Sequence, residues 1–482
     1  MINIKKLSSS SVASSLIYLV FFYFCLEYKT FEHRLYHIIF KLLSPIISLP
    51  SSLSNNYPFY LTDIMILLGF IFSLIYSKKN LKSKLLKPEV IYLFLFLVFS
   101  LLSIVFSPYE KDLSRLSKVS SLFFAFLFFT LSTISSNKTL VEKILLTICF
   151  ISLFESSLAI YQYFIQSPLG LYKLGEPKFL TNIEMCSRIP SVCGKKWIFE
   201  SFKTDSVRLL RAYGSFSHPN ILSSFLMTSV LCSLFFWTKK KSFYKVFFSV
   251  LIFLQITALF LTFSRAGIAA TLLAAFSLLI FMKKINLRSK ISYLIVLSTF
   301  FIVNIVIFYP VHNKRGSFSV ENSFSKGSND ERMSCNRLAL RIIKKHYFLG
   351  IGFDHFMKNA KYFKLQNEKF NVSATVHNIY LLIASEIGLI ALMLFLAFIY
   401  TIILKVKYQN DDLLLTLIFI LVGYLAIGMF DYYYLLIQKG KIMFFGIAGL
   451  ICGYSDYLRN IKLDQREGCS SILYSEELTA KC

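Results

Sequence analysis

Apolar residues in this chain run in long unbroken blocks separated by short polar clusters, without the period-two alternation of a half-buried strand. Blocks of about 20 residues match a bilayer core of roughly 30 Å. Windows of about 19 residues predict twelve membrane-spanning helices, over 10–26, 58–77, 89–107, 119–136, 144–164, 218–238, 246–264, 266–282, 291–310, 378–404, 413–430 and 442–456. Lys41 and Pro45 make 35–50 an interfacial or re-entrant segment instead. Lys5 and Lys6 precede the first block as in a signal peptide, but no small-residue cleavage site follows Phe24-Cys25-Leu26-Glu27, so the first span is expected to stay uncleaved. Two long polar segments, 165–217 and 311–377, and a tail, 457–482, complete a single membrane domain over 1–482.

Composition agrees with the pattern. Of 482 residues 56% are hydrophobic and 17% aromatic, and only 16% are charged, against roughly 25% in soluble domains. The 52 Lys and Arg against 26 Asp and Glu give a formal +26, which in a soluble protein would suggest a nucleic-acid partner. With the chain committed to the bilayer, a soluble fold, a disordered tail, a disulfide-dense secreted module and nucleic-acid binding are all excluded.

The positive charge fixes an orientation. The short loops 78–88, 137–143, 239–245, 283–290 and 405–412 hold 17 Lys and Arg, while 28–57, 107–118, 264–267 and 431–441 hold 9 in a greater length. Basic short loops mark the cytoplasmic side, so both termini are expected there and both long segments outside. The segment 311–376 nevertheless carries 12 basic residues, and long loops translocate largely regardless of charge. A solvated surface and an anionic substrate explain that charge equally well.

Of the nine cysteines, Cys25, Cys149, Cys232 and Cys452 lie in spans as small apolar residues, while Cys186 and Cys193 have the spacing of a loop disulfide. The chain contains no HExxH, CxxC, P-loop or GxGxxG string, so no metal and no cofactor is expected.

Ionisable groups inside spans are expensive and suggest function. Here they are Asp63, Glu155 and Glu386, all in the outer half of the bilayer on the predicted topology. Interhelical hydrogen bonding by these carboxyls is an equally good reading for Glu155 and Glu386. Three polar features gather on the same face. Arg211-Ala-Tyr-Gly-Ser-Phe-Ser-His-Pro-Asn220 leads into the sixth span, with Ser217 predicted as helix cap and Pro219 in the first turn. Thr262-Phe-Ser-Arg265-Ala-Gly267 is a hairpin so tight that Arg265 must lie at the membrane edge, and His377-Asn378 opens the tenth span.

Arginine presents a rigid fork of donors that matches phosphate oxygens, so Arg211 and Arg265 suit a pyrophosphate leaving group. Neutral imidazole takes a proton near pH 7, and nearby arginine charge together with the positive end of a helix should keep His377 neutral. The bland alternatives are interfacial snorkelling for each arginine and capping for the histidine. An amphipathic helix is predicted over 332–345, with Arg337, Arg341, Lys344 and Lys345 at helical spacing. It either covers a cavity mouth and touches an anionic substrate, or rests on headgroups. Gly350 and Gly352 would give it a flexible exit.

These strings resemble the membrane O-antigen ligase and O-antigen polymerase superfamily. The matching elements are Arg211 to Asn220, Ser264-Arg265-Ala-Gly267, Leu349-Gly-Ile-Gly352 after a basic helix, and His377-Asn378-Ile-Tyr-Leu381 followed by Glu386-Ile-Gly388, in the family's order over about 205–435. One departure is that His346-Tyr347-Phe348 stands where a proline commonly precedes the Leu-Gly-x-Gly element. The resemblance implies an all-α polytopic membrane protein of about twelve transmembrane helices with a large extracytoplasmic loop, like a GT-C type glycosyltransferase. It further implies metal-independent transfer of a glycan from undecaprenyl pyrophosphate to an acceptor hydroxyl on the outer face of the bacterial inner membrane. Arg211 and Arg265 would neutralise the donor pyrophosphate, and His377 would activate the acceptor. Asn220 and Asn378, together with Arg337 and Arg341, would touch substrate. Ligation of O-antigen to the lipid A-core of lipopolysaccharide is the leading expectation. A polymerase, a protein O-oligosaccharyltransferase and a non-enzymatic exporter or flippase of lipid-linked glycans are the alternatives.

Overall fold

A computed structural model of the chain describes residues 9–23, 61–76, 83–109, 115–177, 188–190, 208–239, 242–283, 285–316, 323–365, 374–406 and 409–479. Cys186, Cys193 and the segment 35–50 lie outside these residues. The architecture is helical. In chain order the longer helices are α1 (Ser9–Tyr23), α2 (Leu61–Tyr76), α3 (Pro88–Val105), α4 (Leu116–Ser135), α5 (Lys138–Ile165), α6 (Pro219–Lys239), α7 (Ser242–Leu261), α8 (Arg265–Phe281), α9 (Leu287–Gly316) and α10 (Ser323–Lys345). The short α11 (Phe356–Asn359) and α12 (Ile379–Glu386) precede α13 (Leu389–Val406), α14 (Asp412–Gly428), α15 (Tyr433–Leu436) and α16 (Gln438–Thr479). A two-stranded antiparallel pair, β1 (Arg188–Pro190) with β2 (Arg208–Leu210), sets Ile189 opposite Leu209. That pair was not anticipated, because three-residue strands leave no periodicity to read.

Among the described residues, seven helices are long and apolar enough to cross a membrane, and three shorter apolar ones accompany them. These ten correspond to ten of the twelve predicted spans. The first and last predicted spans fall on α1, described over 15 residues, and on α16, whose apolar stretch is short and bounded by Lys439 and Lys441 on one side and Asp456 on the other. Several helices outrun their predicted ends. Helix α5 starts at Lys138, capped by Asn137, whose side chain accepts from the Leu140 amide at 2.9 Å. Helix α10 begins nine residues before the predicted amphipathic segment.

The predicted span 378–404 is two helices, α12 and α13, broken at Ile387-Gly388. The break has a cause in the loop that docks there. The amides of Ile351 and Gly352 donate to the carbonyls of Ser385 and Glu386 at 3.1 and 2.9 Å, and the Leu389 amide donates to Tyr347 O at 2.7 Å. Glu386 completes the joint, its carboxylate accepting from the amides of Asp354 and Phe356 at 2.8 and 2.9 Å. Gly350 and Gly352, expected to form a flexible exit, are thus pinned in a fixed turn, and Glu386 serves the fold.

The two ends of the bundle differ chemically. At one end Lys405 pairs with Glu89 and Asp456, Lys87 with Asp456, and Lys239 with Asp412. Lys84 closes the α4 terminus by donating to Thr133 O and Ile134 O at 3.1 and 2.9 Å. These lysines belong to or border the loops predicted to be cytoplasmic. At the opposite end lie the start of α6, the α7–α8 turn, the start of α12 and the chain after α14.

Gly388 tests the joint most simply. It sits at φ +103°, and a β-carbon there would meet Phe348 O at 2.0 Å. Gly388→Ala should cost about 2 kcal/mol or more, read as a lowered melting midpoint in detergent; an unchanged midpoint would mean that the docked loop tolerates displacement at no cost.

Candidate functional site

The segment 211–218 is irregular backbone leading to Pro219, and α5 holds it in place side chain by side chain. Gln162 is completely buried. Its Oε1 accepts from the amides of Tyr213 and Gly214 at 3.1 and 2.8 Å, and its Nε2 donates to Gly214 O at 3.0 Å and to Glu176 at 2.8 Å. About two turns earlier, Glu155 accepts from the Ser215 amide at 2.8 Å and from the Ser215 hydroxyl at 2.5 Å. Gly214 is at φ +58°, and a β-carbon would lie 2.4 Å from the Glu155 carboxylate. The segment then enters α6 with His218 at the cap. Its Nδ1 accepts from the Asn220 amide at 3.1 Å, and its carbonyl accepts from Ile221 and Leu222. The predicted cap, Ser217, stands one residue too early; Pro219 does open the helix, so the cap falls to the residue before it.

This brace delivers Arg211 to the α7–α8 turn. The Ala212 amide donates to Leu261 O at 3.0 Å, and Arg211 Nε donates to Thr262 O at 2.7 Å. Arg211 is only 3% exposed. Its Nη2 donates to Asn220 Oδ1 at 2.8 Å, and Asn220 Nδ2 donates in turn to Asp431 Oδ2 at 2.7 Å. The other oxygen of Asp431 lies 4.0 Å from His377 Nδ1. Two residues predicted as catalytic, 166 positions apart, are therefore joined through Asn220 and through an aspartate that follows α14. Asn220 spends both faces of its amide on this bridge, so it positions the charged groups.

Arg265 is the contrasting arginine. Phe263 adopts φ 52°, which closes the Thr262–Ser264 turn, and Ser264 caps α8 by accepting from the Gly267 amide at 3.3 Å. Arg265 at the first helical position is exposed, and among the described residues no hydrogen bond or ion pair engages its guanidinium. The other predicted contacts divide as follows. Asn378 caps α12, accepting from the amides of Tyr380 and Leu381 at 3.0 Å while donating to Met429 O at 3.1 Å. Arg341 donates to Phe363 O at 3.2 Å, and exposed Arg337 donates to Ser334 at 3.0 Å on its own helix.

His377 lies outside the helices, with its side chain 22% exposed, and the Tyr432 ring stands edge-on to it at 5.3 Å. Burial lowers its pKa from the usual 6.5, Asp431 opposes that, Arg332 lowers it and Glu331 raises it. The expected depressing arginine thus exists, but it is Arg332 on α10. Tyr432 is pushed up to about 12 by burial and then by Asp431, so its phenol stays protonated. Among the described residues no three His, Cys, Asp or Glu side chains cluster as a metal ion would require.

Asp431, Arg332, Tyr432 and Gln162 escaped the sequence reading. Asp431 carried a signal, a carboxylate just past the external end of a span; Gln162 is uncharged and lies inside one, where neutral amides do not stand out.

Residues 248–396 match the family described as O-antigen ligase. That stretch contains the Ser264–Gly267, Leu349–Gly352 and His377–Gly388 strings, while Arg211–Asn220 precedes it, is hydrogen-bonded to it at Leu261 and Thr262, and also bonds Asp431, which lies beyond it. No curated protein matches the chain.

The electrostatics make a sign prediction. A neighbouring carboxylate stabilises imidazolium, so Asp431→Asn should move His377 further below its wild-type value, itself below 6.5. Histidine NMR titration of the detergent-solubilised protein reads this directly; an upward shift would place the dominant charge at His377 elsewhere.

Proposed function

We propose, from the premise that residues 248–396 belong to the O-antigen ligase family, that this integral membrane protein transfers a glycan from a polyprenyl pyrophosphate carrier to an acceptor hydroxyl. The observation that carries the reading is the connected set Arg211–Asn220–Asp431–His377 with exposed Arg265 on the adjoining turn. It combines fixed positive charge for a departing phosphate with an imidazole kept neutral for a hydroxyl proton.

The chemistry follows from those positions. The acceptor oxygen attacks the anomeric carbon of the donor sugar, and the bond from that carbon to the phosphate oxygen breaks with its electron pair leaving on the pyrophosphate. Arg265 binds the leaving phosphate bidentately, and buried Arg211 adds a charge that cannot swing away because Thr262 O and Asn220 hold it. Asp431 orients the Nδ1–H tautomer of His377, which leaves Nε2 to take the acceptor proton. The 4.0 Å separation closes to hydrogen-bond length by a small ring movement.

The site end lies opposite the lysine-rich end of the bundle, which supports an extracytoplasmic site in the bacterial inner membrane with both termini inside. Undecaprenyl pyrophosphate as carrier and the lipid A-core of lipopolysaccharide as acceptor are the preferred assignments. Polymerisation and protein O-glycosylation differ only in the acceptor. A flippase would use the arginines without the histidine.

Purified protein with a defined lipid-pyrophosphate glycan should yield glycosylated acceptor by mass spectrometry, undiminished by a strong chelator. His377→Ala should reduce kcat by about 10²–10⁴-fold, and Arg265→Lys, which keeps the charge but loses the fork, should also slow transfer. Full rate in His377→Ala would remove the general base. Carrier release with no modified acceptor would remove the transferase.

A further inference from the structure

The cations near the site fall into two groups by what holds them. Arg211 and Arg265 belong to the α7–α8 turn, since Arg211 Nε donates to Thr262 O and Arg265 starts the helix three residues later. Arg332 belongs to α10, one turn before Cys335, whose thiol reaches Ala374 O at 3.5 Å. Residues three apart on a helix share a face, so the contact that seats Cys335 against the chain leading to His377 seats Arg332 there as well. Arg332 is half-buried, and among the described residues no hydrogen bond or ion pair engages its guanidinium. Its charge is felt at both His377 and Tyr432. The predicted substrate ligands of this helix behave otherwise, for Arg337 donates to Ser334 and Arg341 to Phe363 O.

We infer that Arg332 sets acceptor specificity by binding an anionic group, a phosphate or carboxylate, that the acceptor carries beside the hydroxyl received by His377. The inference rests on the transferase reading and assigns its acceptor side. A half-buried guanidinium fork on the helix face that packs against the chain leading to His377 is suited to a planar or tetrahedral anion, and a hydroxyl anchored within reach of His377 gains the proximity that transfer requires. Arg265 and Arg211 keep the donor phosphate, so the two anions are handled by separate elements, the α7–α8 turn and α10.

The arrangement couples binding to base strength. Facing His377 are Glu331 and Arg332 from α10, and Asp431 and Tyr432 from the chain after α14. Arg332 lowers the His377 pKa, so an acceptor anion that neutralises Arg332 removes that depression. His377 then becomes a stronger base when the acceptor is in place.

The test uses histidine NMR of the full chain in detergent, with glucose 6-phosphate and glucose as probes. Glucose 6-phosphate should raise the His377 pKa toward 6.5, and glucose should leave it unchanged. Arg332→Gln should weaken the phosphate response about tenfold, the loss of one charge-assisted contact. Arg332→Lys should keep part of it, and Arg265→Gln should keep it whole. An equal response to glucose, or a response abolished by Arg265→Gln and kept by Arg332→Gln, would overturn the proposal. A His377 that ignores the phosphate in an active transferase counts against Arg332 alone. A clear phosphate response in a protein that transfers nothing counts against the transferase reading.

Discussion

The amide of Asn220 faces two ways, its oxygen toward Arg211 and its nitrogen toward Asp431, and the site is assembled through that side chain. An amide suits the place because it accepts from a cation and donates to an anion at once, which neither a carboxylate nor an amine can do. The bridge holds the buried Arg211 and the buried Asp431, 220 positions apart in the chain, in a fixed relation. Burying an unpaired charge is costly, and here each charge is met by a hydrogen-bonding partner.

Everything around the bridge keeps it in register. Gln162 and Glu155 on α5 fix the irregular segment that carries Arg211, and they do so with buried polar atoms inside a membrane-spanning helix, where backbone amides need internal partners. Glu386 performs the same service for the loop docked at the α12–α13 break. Two of the three intramembrane acids are thus structural members whose task is to let non-helical backbone exist at the membrane edge.

Much of this was legible in the sequence, and the boundary of legibility is physical. Long apolar blocks announced apolar helices at ten of the predicted positions, seven of them long enough to cross a membrane, because burial in lipid leaves a strong one-dimensional signal. Arg211, Arg265 and His377 stood out in the sequence as rare ionisable residues close to predicted helix ends. The kink at Gly388 was not, since it depends on amides of 351–352 finding carbonyls of 385–386. Asp431 and Arg332 were missed for a related reason, as their meaning lies in what they stand beside. Asn220 and Asn378, expected to touch substrate, bridge two charges and cap a helix in the structure, because side-chain amides are spent most readily on nearby backbone and charge.

Asn220 and Asp431 act as one unit upon Arg211 and His377, and a double-mutant cycle on kcat of the purified protein tests that most directly. Asn220→Ala and Asp431→Ala should each slow transfer, and the double variant should be no slower than the worse single variant. Losses that multiply in the double variant would mean that the two residues act independently, contradicting the bridge as the organising element of the site.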